Sequence, residues 1–190
     1  STSATGSTGG GSTGSVTPEA IPLEVFVYNV EYGGDESTDA VIEDVDADVV
    51  GVLESYNRLP EIAENTGYPY YNVSLQILSK YPIHEPSGAE GRYALIEVRP
   101  GEVVAFFNIH LDYVRYGPKL LRNGATVEEV LASEDEVRTS ALDVPLRLMD
   151  ELIQQGYPVF FTGDHNEPSS LDWTDATAAA GSSSASAPPM

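Results

Sequence analysis

The sequence predicts an α/β protein of the α+β kind, built on mixed rather than purely parallel sheets. Three observations carry this. Strand and helix patterns alternate in the first third of the chain, strand patterns follow one another directly in the middle, and there is no internal repeat. A chain of 190 residues also suits one domain with a sizeable core, hardly two.

The elements follow in order. "LEVFVYNV" (23–30) alternates and is rich in β-branched and aromatic residues, so it reads as a strand. "STDAVIEDVDA" (37–47) places Ala40, Val41 and Val45 at helical spacing behind Ser37 or Thr38 as N-cap. "DVVGVLE" (48–54) is a short apolar run, the pattern of a buried strand, and "LPEIAENTG" (59–67) is a short helix closed by Gly67. Strands are predicted at "SLQILS" (74–79), "RYALIEV" (92–98) and "VVAFFNIHL" (103–111), and helices at 126–132 and 133–156. Pro145 lies inside the last helix and is expected to kink or split it. "PVFFTG" (158–163) is the final strand. Residues 1–20 and 177–190 are Ser-, Thr-, Gly- or Ala-rich and too poor in apolar content to offset ordering entropy, so the folded unit is expected to span 21–176.

Composition excludes several functions. Thirty acidic residues against nine basic ones give a net charge of -21, a field that repels polyanions and disfavours nucleic acid. Only Lys80 and Lys119 are lysines, a balance that salt adaptation also produces. The absence of cysteine rules out disulfides, thiolate metal sites and a thiol nucleophile. No apolar run approaches membrane-spanning length. A linker-like start without an initiator Met points to a secreted protein or to a module cut from a longer chain.

Polar residues recur at predicted strand ends: Asn29 and Glu31, Glu54, His110 and Asp112, then Asp164 and Asn166. Side chains there can converge above a sheet, and carboxylates with carboxamides make an oxygen-rich site suited to Mg²⁺, Mn²⁺ or Ca²⁺. In isolation each residue has a simpler account. Asp164 and Asn166 fit an Asx-turn, Glu54 a solvated strand end, His110 a satisfied core histidine and Asn29 a carboxamide bonding to turn backbone. His84 reads as a loop residue, and Arg138 as a helical partner of Glu134. "DVDAD" (44–48) and "DHNEPSSLD" (164–172) fail as EF-hand loops, because Val49 takes the glycine position and Pro168 a ligand position. Asn72-Val73-Ser74 matches a glycosylation acceptor.

Taken together and in order, "VYNVEYG", "DVVGVLES", "LQILSKYPI", "FFNIHLDYVRYGP" and "GDHNEPSSLDW" resemble the endonuclease/exonuclease/phosphatase superfamily, the deoxyribonuclease-I-like metal-dependent phosphoesterases. The resemblance is greatest to secreted bacterial members. It implies a four-layer α/β sandwich, two face-to-face β-sheets flanked by helices, with the second sheet incomplete. It also implies a phosphomonoester or phosphodiester hydrolase using Mg²⁺ (or Mn²⁺ or Ca²⁺). By this resemblance Asn29, Glu31 and Glu54 serve the metal, and His110 contacts the scissile phosphate or acts as general acid. Asp164 orients the attacking water, Asn166 holds a phosphate oxygen, and Arg92 supplies a positive phosphate contact.

The chain departs from the family at His165, where phenylalanine is usual, and in lacking a Ser-Asp-His motif: its histidines are His84, His110 and His165. The expectation is therefore an incomplete, poorly active fragment whose missing C-terminal portion carries the base. The acidic balance favours small or lipid-derived phosphoesters over nucleic acid. Two rivals stay open: a non-catalytic binding or assembly module, and a salt-adapted extracellular Ca²⁺-binding protein.

Overall fold

A computed structural model describes residues 20–167; the expected linker (1–20) lies outside that range but for residue 20, and the expected tail (177–190) lies wholly outside it. The first sheet contains β1 (Val25–Asn29), β2 (Val49–Leu53), β3 (Tyr70–Asn72) and β4 (Ile77–Ser79) in the order β1-β2-β4-β3. β1 and β2 run parallel, and the remaining pairs are antiparallel. The second sheet contains β5 (Ile83–His84), β6 (Ala94–Arg99), β7 (Glu102–His110) and β8 (Val159–Asp164) in sequential order. Here β7 and β8 are the parallel pair. Both sheets are mixed, as the strand spacing requires.

The layering follows from strand alternation. Val50 and Val52 of β2 face outward and pack with Ile42 of α1 (Glu36–Val45) and Leu59, Ile62 and Ala63 of α2 (Leu59–Thr66). Val49 and Ile77 face the other way and meet Ala94, Ile96, Val104 and Phe106 of the second sheet, forming the core between the sheets. Ala105 and Phe107, on the far face of β7, pack against Leu148 and Leu152 of α5 (Ser140–Gln154). The result is helices, sheet, sheet, helix. β2 is buried along its whole length, which is why it reads as an unbroken apolar run.

Local differences from expectation have local causes. The N-cap of α1 is Asp35, not Ser37 or Thr38: its carboxylate accepts from Ser37 N, and Thr38 Oγ1 accepts from Asp35 N to close a capping box. The strand predicted at 74–79 is confined to Ile77–Ser79, because Gln76 adopts a left-handed backbone at φ 52°. α3 (Gly117–Arg122) was not predicted, and α4 covers Val127–Glu134. The last long helix is interrupted at a π-helical turn over Asp135–Thr139, and α5 continues through Pro145. No helix of the described residues is long and apolar enough to cross a membrane.

Candidate functional site

Parallel pairing aligns carboxyl ends. β1 and β2 end together, with Asn29 opposite Leu53 and Glu54 next in line. β7 and β8 end together, with His110 opposite Asp164. Because the two sheets stack with β1 near β8, these four side chains meet at one end of the sandwich. The Asn29 amide joins them: its Nδ2 donates to Glu54 Oε1 at 3.0 Å and to Asp164 Oδ2 at 3.1 Å. His110 Nε2 stands 3.7 Å from Glu54 Oε1 and 4.0 Å from Asp164 Oδ2, in reach of both carboxylates but hydrogen-bonded to neither. The cleft above them has a volume of about 500 Å³. Glu31, Val73, Gln76, Asn166 and the rings of Tyr32, Tyr56 and Tyr113 also line it, and among the described residues no lysine or arginine does.

The backbone around the cleft is unusual. Of eight non-glycine residues with positive φ among the described residues, six line it: Glu31, Tyr32, Glu54, Tyr56, Gln76 and Asn166. Left-handed conformations of residues other than Gly, Asn and Asp cost free energy and persist where surroundings enforce them, which marks functional sites. The enforcing contacts are visible. Asn29 Oδ1 accepts from Glu31 N, Gly33 N donates to the Glu54 carbonyl at 2.8 Å, and Gln76 Oε1 accepts from both Ser55 N and Ser55 Oγ. Arg58 ties the same loop to the helices: Nη1 donates to the Gly33 carbonyl at 2.8 Å and Nη2 to the buried Asp39 carboxylate at 2.9 Å.

A second arginine braces the opposite wall. Arg138, 3% exposed, sits in the π-helical turn and donates to the carbonyls of Asp112 and Arg115, on the segment that carries Tyr113. Its guanidinium also pairs with Glu134, the expected partner, and with Glu167 at 2.7 Å, beside Asn166. Burial pushes both carboxyls up. Bonds from Arg138 and Glu167 bring Glu134 net below its ordinary value, whereas Glu167, also facing the Glu134 charge, is pushed up to about 7.

Most of the predicted residues converge. Asn29, Glu31, Glu54, His110, Asp164 and Asn166 all line the cleft. Asp164 does two things: Oδ2 faces Asn29, while Oδ1 accepts from Asn166 N at 2.8 Å, so the Asx-turn and the site coexist. The Asn166 carboxamide nitrogen donates to the Leu111 carbonyl at 2.8 Å, which anchors the side chain at the cleft wall and leaves its second N–H free of that bond. Arg92 stands apart from these six. It lies in the turn before β6, where its N–H donates to the Ala89 carbonyl, and it lines an adjoining cavity that shares His110 and Gln76 with the carboxylate cleft. His165 points away from Asp164 and Asn166, its ring 6.1 Å from that of Phe161. Tyr32, Gln76 and Tyr113 lie within the quoted stretches and Tyr56 just after one, but nothing in the sequence singled them out as cleft residues.

A divalent cation fits the donor chemistry in a limited way. Among the described residues no three His, Asp or Glu side chains form a ready metal cage. The cleft does hold three carboxylates, Glu31, Glu54 and Asp164, the last two joined by the neutral Asn29 amide, and among the described residues no Lys or Arg pairs with them. Mg²⁺ is commonly held by one or two carboxylates, with water and phosphate completing its shell. Glu54 and Asp164 would supply those ligands.

No family model and no solved structure matches the chain. It is 29% identical over 170 residues to an uncharacterized protein of Caenorhabditis elegans, F14F9.5. That alignment covers 78% of this chain and 52% of the worm protein, so the chain spans about half the length of the curated relative it matches.

Proposed function

We propose that this domain is a divalent-metal-dependent phosphoester hydrolase of the deoxyribonuclease-I-like kind, acting on small phosphomonoesters or phosphodiesters. The observation that carries the proposal is the Asn29 amide bridging Glu54 and Asp164 beneath His110, at the carboxyl ends of two stacked parallel strand pairs. A bound Mg²⁺ would polarise the phosphoryl oxygen and neutralise charge developing on it.

The chain's own residues do the rest. Asn29 fixes both carboxylates without adding charge, and its Oδ1 sets the loop of Glu31. His110 Nε2, free of a hydrogen bond to either carboxylate, is placed to donate to a phosphoryl or leaving-group oxygen. Asp164, with Oδ1 held by the Asn166 backbone, presents Oδ2 to orient an attacking water. The described residues bring no second histidine to the cleft, so proton removal from that water is the weak step, and turnover by this chain is expected to be slow.

The test is hydrolysis of bis(4-nitrophenyl) phosphate and 4-nitrophenyl phosphate with Mg²⁺ or Mn²⁺, alongside phosphate binding by calorimetry. Slow turnover and phosphate binding that both disappear with EDTA and with Glu54→Gln support the proposal. Metal-independent turnover, or activity indifferent to Glu54→Gln, would sink it. A fold that only binds predicts the phosphate signal with no turnover at all.

A further inference from the structure

The cleft carries a feature that the hydrolytic chemistry does not use. Tyr32, Tyr56 and Tyr113 line it while remaining 80%, 60% and 69% exposed. Folding normally hides rings of this size, since each can bury a large apolar area. Two of the three also sit on strained backbone, Tyr32 at φ 52° and Tyr56 at φ 49°. A bulky side chain in that region is a true outlier, and glycine or asparagine would relieve it.

The two strained rings are mounted on one braced unit. Gly33 N donates to the Glu54 carbonyl, Arg58 N to the Ser55 carbonyl at 2.9 Å, and the Arg58 guanidinium to the Gly33 carbonyl. Tyr113 stands on the opposite wall, on the segment that Arg138 clamps through the carbonyls of Asp112 and Arg115. The rings therefore flank the carboxylate floor from both sides on supports that are held rigidly.

We infer that Tyr32, Tyr56 and Tyr113 form a stacking rim that selects phosphoesters whose organic group is a flat π-ring, an aryl group or a single base. This rests on the phosphoester reading of the same cleft and names its substrate class. Magnitudes decide between possible organic groups. An acyl chain gains by burial, and rings this exposed leave it largely in water. A quaternary ammonium gains about 0.5–1 kcal/mol at exposed rings and needs an enclosing cage for more. A planar ring stacks on one open face and gains about 1–3 kcal/mol per contact. The net charge of -21 then disfavours long polyanions and favours small esters.

The experiment uses the full chain with Mg²⁺ and phosphonates, whose C–P bond does not hydrolyse. Calorimetry compares phenylphosphonate, hexylphosphonate, 2-(trimethylammonio)ethylphosphonate and inorganic phosphate. Phenylphosphonate is expected to bind about tenfold more tightly than the hexyl or trimethylammonio ligand. Tyr32→Asn and Tyr56→Asn, tolerated at positive φ, should each cut the phenylphosphonate-to-phosphate affinity ratio about fivefold or more, while Tyr32→Phe and Tyr56→Phe keep it.

Equal binding of the phenyl and hexyl ligands by the unaltered protein overturns the rim, as does tighter binding of the trimethylammonio ligand. An unchanged ratio in the Asn variants does so too. If inorganic phosphate binds in a Glu54-dependent way and the ring preference is absent, only this inference fails. If phosphate does not bind with Mg²⁺ at all, the hydrolase proposal falls and the rim with it.

Discussion

Replacing Arg138 with methionine keeps most of the side-chain volume and removes every donor. Arg138 is almost wholly buried, and its guanidinium serves two carbonyls and two carboxylates. With Glu134 held low and ionised, and Glu167 pushed up to about 7 and so about half ionised, the pair carries between one and two negative charges at neutral pH, and that charge would be stranded. Breaking a buried pair by deleting one partner costs about 3–5 kcal/mol, and the carbonyl bonds add to the same loss. Against a domain stability on the order of 10 kcal/mol the variant still folds, with its urea midpoint lowered by about 2 M. At pH 5 the abandoned carboxyls can both take protons, so the cost should shrink towards that of two neutral hydrogen bonds, about 1–2 kcal/mol. Urea titrations of both proteins at pH 7 and pH 5 read this directly. A loss below about 1 kcal/mol at pH 7, or the same loss at both pH values, would refute the clamp.

Other consequences follow from the same geometry. In the metal-free protein Glu54→Gln should raise stability by about 0.5–2 kcal/mol, because it relieves two carboxylates that share one amide; calorimetric melting checks this. Gly163→Ala should cost about 3 kcal/mol or more in the same assay, since φ is 140° and an added Cβ would lie 1.9 Å from the Ile109 carbonyl oxygen. Glu167 gives a pH signature. Its folded value, about 7, exceeds the ordinary 4.5, so the folded state holds the extra proton and stability falls as pH rises between those values. Glu134 contributes in the opposite sense: its carboxyl is lowered, so its stabilisation is present above 4.5 and is lost as pH falls below that. Glu167→Gln should flatten the decline between pH 5 and 7 in urea titrations.

Much of this was legible in the sequence, for physical reasons. β1, β2, β6, β7 and β8 announce themselves because their side chains either alternate between two environments or are buried on both faces. β3, β5 and α3, of three, two and six residues, are too short to show a period. The N-cap of α1 was misplaced because Asp35, Ser37 and Thr38 can all cap, and only the reciprocal bond to Thr38 decides among them. The interruption fell at Asp135–Thr139 rather than at Pro145, and that turn carries Arg138. Asn29, Glu54, His110 and Asp164 were legible because parallel strands bring their carboxyl ends together. Gln76, Tyr32 and Tyr56 were not, because their place depends on left-handed loop backbone enforced by distant partners. Asn108 was missed for a similar reason. Its Nδ2 donates to the carbonyls of Leu75 and Gln76, tying the two sheets beside the site, a contact that exists only once the sheets stack.

The central claim is that Glu54 and Asp164, joined by Asn29, hold a divalent cation that recruits phosphate. Titration of the chain with Mn²⁺ in the presence of phosphate, followed by electron paramagnetic resonance, tests it most directly. The account predicts a saturable Mn²⁺ site that phosphate tightens and that Glu54→Gln weakens at least about tenfold. Mn²⁺ binding unaffected by both phosphate and Glu54→Gln, or no saturable binding, would contradict it.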